Sequence, residues 1–291
     1  MNLVLTGATG YLGSRLACQF LATGHRVVAL KRRASSMRRL ADCADGLLLY
    51  DVDDGGLTAD FWNASDVDAV IHCATCYGRK GESTSEVLTT NTVLPVQLLE
   101  RAVAHNVPTF INVDTVLDPR TNAYALSKAQ FVEWGRQMTR ESGTRFVNVR
   151  MESIYGPGDD ASKFPIWLIE ACRKNVPEIP LTSGTQRRDF IYIDDAVSAF
   201  ECLLTNAESL SSAFQELGLG TGQAVAIRAV AEMIHAYTQS HSRLHFGAIP
   251  SRPNELMESA SDLSLLRSLG WCARTSIDEG IQRLTNHASM G

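Results

Sequence analysis

The sequence predicts an α/β fold: a doubly wound parallel sheet with a smaller C-terminal lobe. Three observations carry that prediction. Short apolar, β-rich runs alternate with helix-period segments through the first half of the chain, and such alternation builds a parallel sheet covered on both faces. A glycine-rich turn, Thr6–Gly13, joins the first predicted strand to the first predicted helix. After about residue 155 the pattern changes to loops rich in Gly, Pro and Asp, mixed with shorter elements.

The elements follow in order. NLVLTG is an apolar run that stops at glycine. YLGSRLACQFLATG then places Leu12, Leu16, Phe20 and Leu21 on one helical stripe, with Gly24 as its C-terminal stop. RVVAL, GLLLYDV, DAVIHCA, TFINVDT and RFVNVRM are the second to sixth strands, and residues 94–106 and 125–142 carry helical patterns between them. In the second half, RRDFIYIDDAVSAFECLL reads as a strand then a helix, and VAIRAVAEMIHAYTQ as an amphipathic helix. The expected division is 1–155 as the sheet domain with a returning segment at about 188–221, and 156–187 with 222–291 as the second lobe.

With 291 residues, 45% apolar and 20% charged, the chain can bury a core without a disulfide or metal staple. The net charge is −5, and the one dense basic stretch, KRRASSMRR, is too local for nucleic-acid binding by the whole protein. Seven scattered cysteines show no disulfide framework. No charged segment precedes an apolar run at the start, and no apolar run is long enough for a membrane span. The expectation is a cytoplasmic protein with no membrane or nucleic-acid partner. His72-Cys73-Ala74-Thr75-Cys76 contains a Cys-x-x-Cys, but no second ligand pair stands at zinc spacing, so it reads as small residues at a strand end and no metal is expected.

Gly7, Gly10 and Gly13 follow a predicted strand and open a predicted helix. That context makes a dinucleotide-binding, Rossmann-type turn. Gly7 permits the tight turn, Gly10 lets the backbone approach a pyrophosphate, and Gly13 lets helix and strand close up. Thr9, Tyr11 and Leu12 in the turn, and Cys73, Ala74 and Thr75 at the end of the fourth strand, are expected to bind the cofactor. A ribose-binding acid is usual at the end of the second strand; here stand Lys31, Arg32 and Arg33. Cations there attract a 2′-phosphate, which favours NADP(H). Asp51, after the third strand, is placed to meet the adenine, and Val52 to pack on it. Tyr124 and Lys128, four residues apart, lie one turn apart on a helix face. A free tyrosine has a pKa near ~10, and a neighbouring lysine cation is expected to lower it.

The spacing Gly-x-x-Gly-x-x-Gly with a later Tyr-x-x-x-Lys resembles the extended short-chain dehydrogenase/reductase family. Tyr155–Asp160 (YGPGDD), Arg187–Asp195 (RRDFIYIDD) and Leu269–Trp271 (LGW) resemble its nucleotide-sugar branch. The resemblance covers nearly the whole chain. It implies Tyr124 as the acid/base, Lys128 as its partner on the nicotinamide ribose, and Thr115 as the hydroxyl that holds the substrate oxygen. It implies Asn91 and Met151 on the nicotinamide side, Arg188 and Arg252 on the substrate diphosphate, and Ser153 facing that diphosphate. It also implies a homodimer formed through the helices after the fourth and fifth strands. Only nine residues separate Thr115 from Tyr124, so the loop over the nicotinamide is expected to be short.

Dehydratases of this branch carry Asp-Glu after the active-site Thr; Val116 and Leu117 stand here. Its 4-epimerases hold NAD, against which Lys31 and Arg32 argue. The stretches FINVDTVLD, NAYALSKAQFVEWG, LTSGTQRRDFIYIDDAVSA and FGAIPSRPNE are similar to the CDP-abequose and CDP-paratose synthase group. That likeness implies NADPH-dependent reduction of a CDP-4-keto-3,6-dideoxyglucose-like nucleotide sugar in O-antigen deoxysugar biosynthesis. An NAD-dependent nucleotide-sugar 4-epimerase is the alternative, and an NADP-binding redox sensor the non-enzymatic one.

Overall fold

The structure is a computed structural model that describes residues 1–55, 57, 60–64, 66–210, 212–252 and 255–287. The strands are β1 (Asn2–Thr6), β2 (Arg26–Lys31), β3 (Leu47–Asp51), β4 (Ala69–His72), β5 (Thr109–Thr115), β6 (Arg145–Met151), β7 (Ser153–Tyr155), β8 (Glu178–Leu181), β9 (Arg187–Tyr192), β10 (Phe214–Leu219), β11 (Ala224–Ala226) and β12 (Arg243–Phe246). The helices are α1 (Tyr11–Ala22), α2 (Phe61–Ala64), α3 (Thr84–Leu88), α4 (Leu94–Ala104), α5 (Ala123–Thr139), α6 (Phe164–Arg173), α7 (Ile193–Thr205), α8 (Ile227–Tyr237), α9 (Ser264–Ser268) and α10 (Ile277–His287).

Two compact units result: Met1–Arg150 with Phe200–Leu217, and Met151–Ala199 with Gly218–Gly291. The returning segment is shorter than the sequence suggested. It starts within α7, because β9 is hydrogen-bonded to β7 and β11 and not to the large sheet.

In the first unit seven strands run in the order β10-β6-β5-β4-β1-β2-β3. The pairings β3–β2, β2–β1, β1–β4 and β4–β5 are all parallel. The crossover from β3 to β4 on the far side of β1 makes the sheet doubly wound. The six strands read from the sequence are all present. β10 was not foreseen, because Phe-Gln-Glu-Leu-Gly-Leu mixes polar residues and glycine into the run. Helix α1 buries Leu16, Ala17 and Phe20. It ends where Gly24 takes a φ of 83° and the His25 N–H reaches back to the Phe20 carbonyl. Phe110, Phe131 and Phe146 join Val4, Val28 and Val70 in one apolar core.

Between α3 and α4 the helix makes one wider turn, Thr89–Val93. Such a turn pushes a residue inward and is common at functional sites; here it buries Asn91. Cys18 on α1 and Cys43 form a disulfide, with Cα atoms 5.4 Å apart. The scattered cysteines had shown no disulfide framework in the sequence; the fold brings together two that are 25 residues apart.

In the second unit β9 lies between β7, parallel to it, and β11, antiparallel to it. β8 and β12 form a separate parallel pair. Helix α8 packs on α6 and α10. Gly280 in α10 lies under Tyr155: a Cβ there would stand 1.9 Å from the phenol oxygen. Among the described residues no helix is long and apolar enough to cross a membrane.

Candidate active site

The glycine turn behaves as its spacing predicts. Gly7 has a φ of 68°, and a Cβ on it would lie 2.6 Å from the Ala74 amide nitrogen. The turn after β1 therefore touches the backbone at Cys73–Ala74. A Cβ on Gly13 would lie 2.1 Å from the Gly7 carbonyl oxygen, so no other residue lets α1 approach β1 this closely. Gly10 is the N-cap of α1, and no side chain caps it. The first N–H groups of Tyr11, Leu12 and Gly13 thus open toward an anion, with Thr9 just before them.

The basic end is altered in one respect. Lys31 and Asp51 are register partners on β2 and β3. Lys31 Nζ stands 2.5 Å from Asp51 Oδ1. The two were expected to serve a 2′-phosphate and an adenine separately; instead they neutralise each other. The Arg33 N–H also donates to Asp53, 2.8 Å away. Arg32 remains exposed at the strand end. Val52 packs against the apolar core.

Thr115 ends β5, and Asn122 opens α5 by accepting the Ala125 N–H at 2.9 Å. The loop between them is short, as expected, and is closed by an ion pair from Asp118 to Arg120, 2.7 Å. Tyr124 sits in the first turn of α5 and shares a side-chain hydrogen bond with Thr115. Lys128, one turn on, is 1% exposed, and its Nζ has no hydrogen-bond partner among the described residues. Burial, then Tyr77 and Asp114, push the Tyr124 phenol up; the Thr115 hydrogen bond and Arg79 pull it down. This corrects the expectation of a phenol lowered by Lys128. Burial lowers the Lys128 ammonium itself, while Asp114 and Cys73 oppose that. Desolvation pushes the thiol of half-buried Cys73 up to about 12, so it is no nucleophile.

Asn91 acts through the backbone. Its Oδ1 accepts the Cys76 N–H at 2.7 Å, and its Nδ2 donates to the Cys76 carbonyl at 2.8 Å and to Ser127 Oγ at 3.0 Å. Thr75 Oγ1 donates to the same Oδ1, 3.4 Å away. So Asn91 ties the loop after β4 to the helix that carries Tyr124 and Lys128. Tyr77, on that loop, was missed by sequence reasoning: its ring lies 4.9 Å from that of Tyr124, and the Arg79 guanidinium lies 5.3 Å from its centroid. No spacing rule would have found it.

The second unit carries the remaining candidates. Met151 is buried at the end of β6, and Ser153 opens β7, half-buried. Arg188 on β9 pairs with Glu255, 2.7 Å, and both are largely enclosed. The Glu255 N–H also donates to the Arg252 carbonyl, so Glu255 is bonded to both Arg188 and Arg252. Glu255, also missed, lies three residues beyond Arg252.

Residues 3–213 match the NAD dependent epimerase/dehydratase family. The chain is 32% identical to the CDP-abequose synthase of Salmonella muenchen, over 97% of this chain and 96% of that protein. Its fold is similar to that of the UDP-glucose 4-epimerase from Thermotoga maritima, with a TM-score of 0.85 at 20% identity over 100% of this chain and 99% of the other. It is likewise similar to the UDP-glucuronic acid 4-epimerase from Bacillus cereus, solved with UDP-glucuronic acid and NAD, with a TM-score of 0.82 at 20% identity over 100% and 99% of the two chains. With the glycine turn and the Thr115–Tyr124–Lys128 group in place, the chain belongs to the NAD dependent epimerase/dehydratase family, the extended short-chain dehydrogenase/reductases, and is an NAD(P)-dependent oxidoreductase.

Proposed function

We propose that the protein catalyses NADPH-dependent reduction of a nucleotide-linked 4-keto-deoxyhexose, a CDP-4-keto-3,6-dideoxyglucose-like sugar, to the 4-hydroxy sugar. The reading is carried by the Thr115–Tyr124 pair. A phenol held protonated is the form that gives a proton to a carbonyl oxygen, and a hydroxyl beside it can hold that oxygen. Thr115 positions the C4 oxygen, Tyr124 protonates it as NADPH delivers hydride to C4, and Lys128 holds the nicotinamide ribose. The turn at Gly7–Gly13 takes the pyrophosphate, and Arg32 the 2′-phosphate. Arg188, Ser153 and Arg252 take the substrate diphosphate, Arg188 exchanging Glu255 for it. The likeness to the Salmonella CDP-abequose synthase supports the sugar and the base. A homodimer through α3, α4 and α5 is supported by exposed Leu88, Val93, Leu126 and Trp134 on that stretch of helices.

The test is NADPH oxidation over CDP-, dTDP-, GDP- and UDP-linked 4-keto-6-deoxy sugars, with and without the 3-hydroxyl. Deuteride-labelled NADPH should leave one deuterium at C4 of the CDP sugar. Arg252→Ala should mainly raise KM, since a remote charge contact holds ground and transition states alike. One observation favours a second reading: the Lys31–Asp51 pair leaves an acid beside the cofactor end of β2, as suits NAD and a 4-epimerase. Interconversion of 4-epimers without net NADPH oxidation would select it.

A further inference from the structure

One face of the large sheet carries two rows of side chains beneath α5. The first is apolar: Phe110, Phe146 and Phe214 stack in sequence across β5, β6 and β10. Phe131 of α5 meets Phe110 and Phe146 edge-on. Two residues further along each strand the row turns polar, and it crosses five strands. Thr6, His72 and Asn112 are register partners on β1, β4 and β5. Asn112 Nδ2 donates to Asn148 Oδ1 at 2.8 Å. Asn148 Nδ2 donates to Asp114 Oδ2 and to Glu216 Oε2, both at 3.0 Å.

The two carboxylates decide which way this row points. A carboxylate only accepts, so the Asn148 amide must turn its nitrogen toward Asp114 and Glu216 and its oxygen toward Asn112. Asn112 must then spend its nitrogen on Asn148. Its oxygen faces the other way, fully buried and without a hydrogen-bond partner among the described residues. Two more fully buried polar atoms lack partners among the described residues. His72 gives Nδ1 to Thr6 Oγ1 at 2.8 Å, which leaves Nε2. Lys128 leaves Nζ.

These three atoms share a neighbourhood. Phe131 lies over Phe110 and against His72, ring centroids 5.7 Å apart. One turn back along α5 is about 5 Å, and two residues on along β5 is about 6.5 Å. Lys128 therefore stands over the polar row as Phe131 stands over the apolar one. Burial and the Lys128 cation keep His72 neutral, so Nε2 can accept. Buried waters settle where about three such groups converge.

We propose that one water molecule is bound between Lys128 Nζ, Asn112 Oδ1 and His72 Nε2, and that through it the row from Glu216 and Asp114 fixes the Lys128 ammonium in place. The water accepts from Lys128 and donates to Asn112 and His72, which satisfies all three atoms. Other N–H groups of the ammonium stay available to the outer face. The titratable groups facing Lys128 are Asp114, Cys73 and His72. The role in turnover rests on Lys128 serving the reaction proposed above, but the site itself does not.

The experiment needs no substrate, so its outcome is separable from that of the reductase assay. A crystal structure of the whole chain near atomic resolution should show a water with three contacts of about 2.7–3.2 Å. Asn112→Leu should lose it, and Asn112→Asp, which keeps the acceptor, should retain it. NMR of 13C-labelled lysine, with Lys128 assigned from Lys128→Met, should show its titration midpoint fall by about one pH unit in Asn112→Leu and not in Asn112→Asp. If Asn112→Leu does not fold, His72→Leu takes its place in both readouts. A dry wild-type site overturns the water. A Lys128 midpoint unchanged by loss of the acceptor overturns the positioning role.

Discussion

The two units hold themselves together by different means. In the first, the backbone does most of the work: a parallel sheet lines up residues distant in sequence, and side chains fall into rows by register. In the second, buried carboxylates do it. Asp189 accepts the N–H groups of Thr221, Gly222 and Ser261, besides the Thr221 hydroxyl. Asp195 accepts those of Arg274 and Thr275. Glu152 takes Ser259 on both oxygens and Ser261 on one. Each acid draws in segments too short and irregular to pair as strands. A sheet positions side chains with a precision suited to proton transfer. Carboxylate hubs hold loops, and loops can vary in sequence while the hub stays, which suits a region that would set substrate choice.

That contrast can be broken at its strongest points first. Tyr124→Phe should lower turnover by roughly two to four orders of magnitude while leaving cofactor affinity almost unchanged; near-normal turnover would return Tyr124 to packing. The sign of its pH dependence follows from the raised phenol. A donor works while protonated, so the reduction rate should show no alkaline loss from Tyr124 below about pH 9. Asp189→Ala should cost about 3–5 kcal/mol in denaturant unfolding, because four part-buried donors lose the buried carboxylate that accepts from them. A loss under 1 kcal/mol would mean that the hubs of the second unit are ornamental.

Smaller effects sharpen the picture. NADPH should bind at least about tenfold tighter than NADH, about 1.4 kcal/mol, and Arg32→Asp should remove most of that preference in calorimetric titration. Lys31→Met should matter less, since Asp51 already offsets that charge. Trp134→Glu, at a side chain 52% exposed on α5, should shift a dimer toward monomer in light scattering. The smallest concerns Glu152, whose carboxyl burial pushes above its ordinary value. Its folded pKa exceeds its unfolded one. The stability it contributes is thus full below the unfolded value, near 4.5, and is lost as pH rises toward the folded one. The slope is at most about 1.4 kcal/mol per pH unit, and Glu152→Gln should abolish it.

The first unit was also the more legible in sequence. The glycine spacing, the alternation of strand and helix, and the four-residue gap from Tyr124 to Lys128 are local patterns, and local patterns survive in one dimension. What escaped was set by neighbours across strands. The Lys31–Asp51 pair needs the register of β2 on β3. The disulfide from Cys18 needs the path of the chain after β2. The rise in the Tyr124 phenol needs Tyr77 and Asp114 around it, and Tyr77 arrives on a loop that no periodicity describes. In the second unit the two arginines were named, but Glu255, which links them, shows only in its bonds to Arg188 and Arg252.

The order of the large sheet also bears on how the chain is made. Six of its strands are complete by residue 151, but the seventh, beside β6, begins only at Phe214. A nascent chain that has just released β6 from the ribosome carries an open row of backbone donors and acceptors along that strand. It keeps them until β7, β8, β9 and the whole of α7 have also been made. Unpaired edges of this kind are where newly made chains associate wrongly. A slow stretch of translation between residues 151 and 214 would prolong that exposure, whereas a circular permutant that places β10 ahead of β1 would supply the missing neighbour before the edge is ever formed.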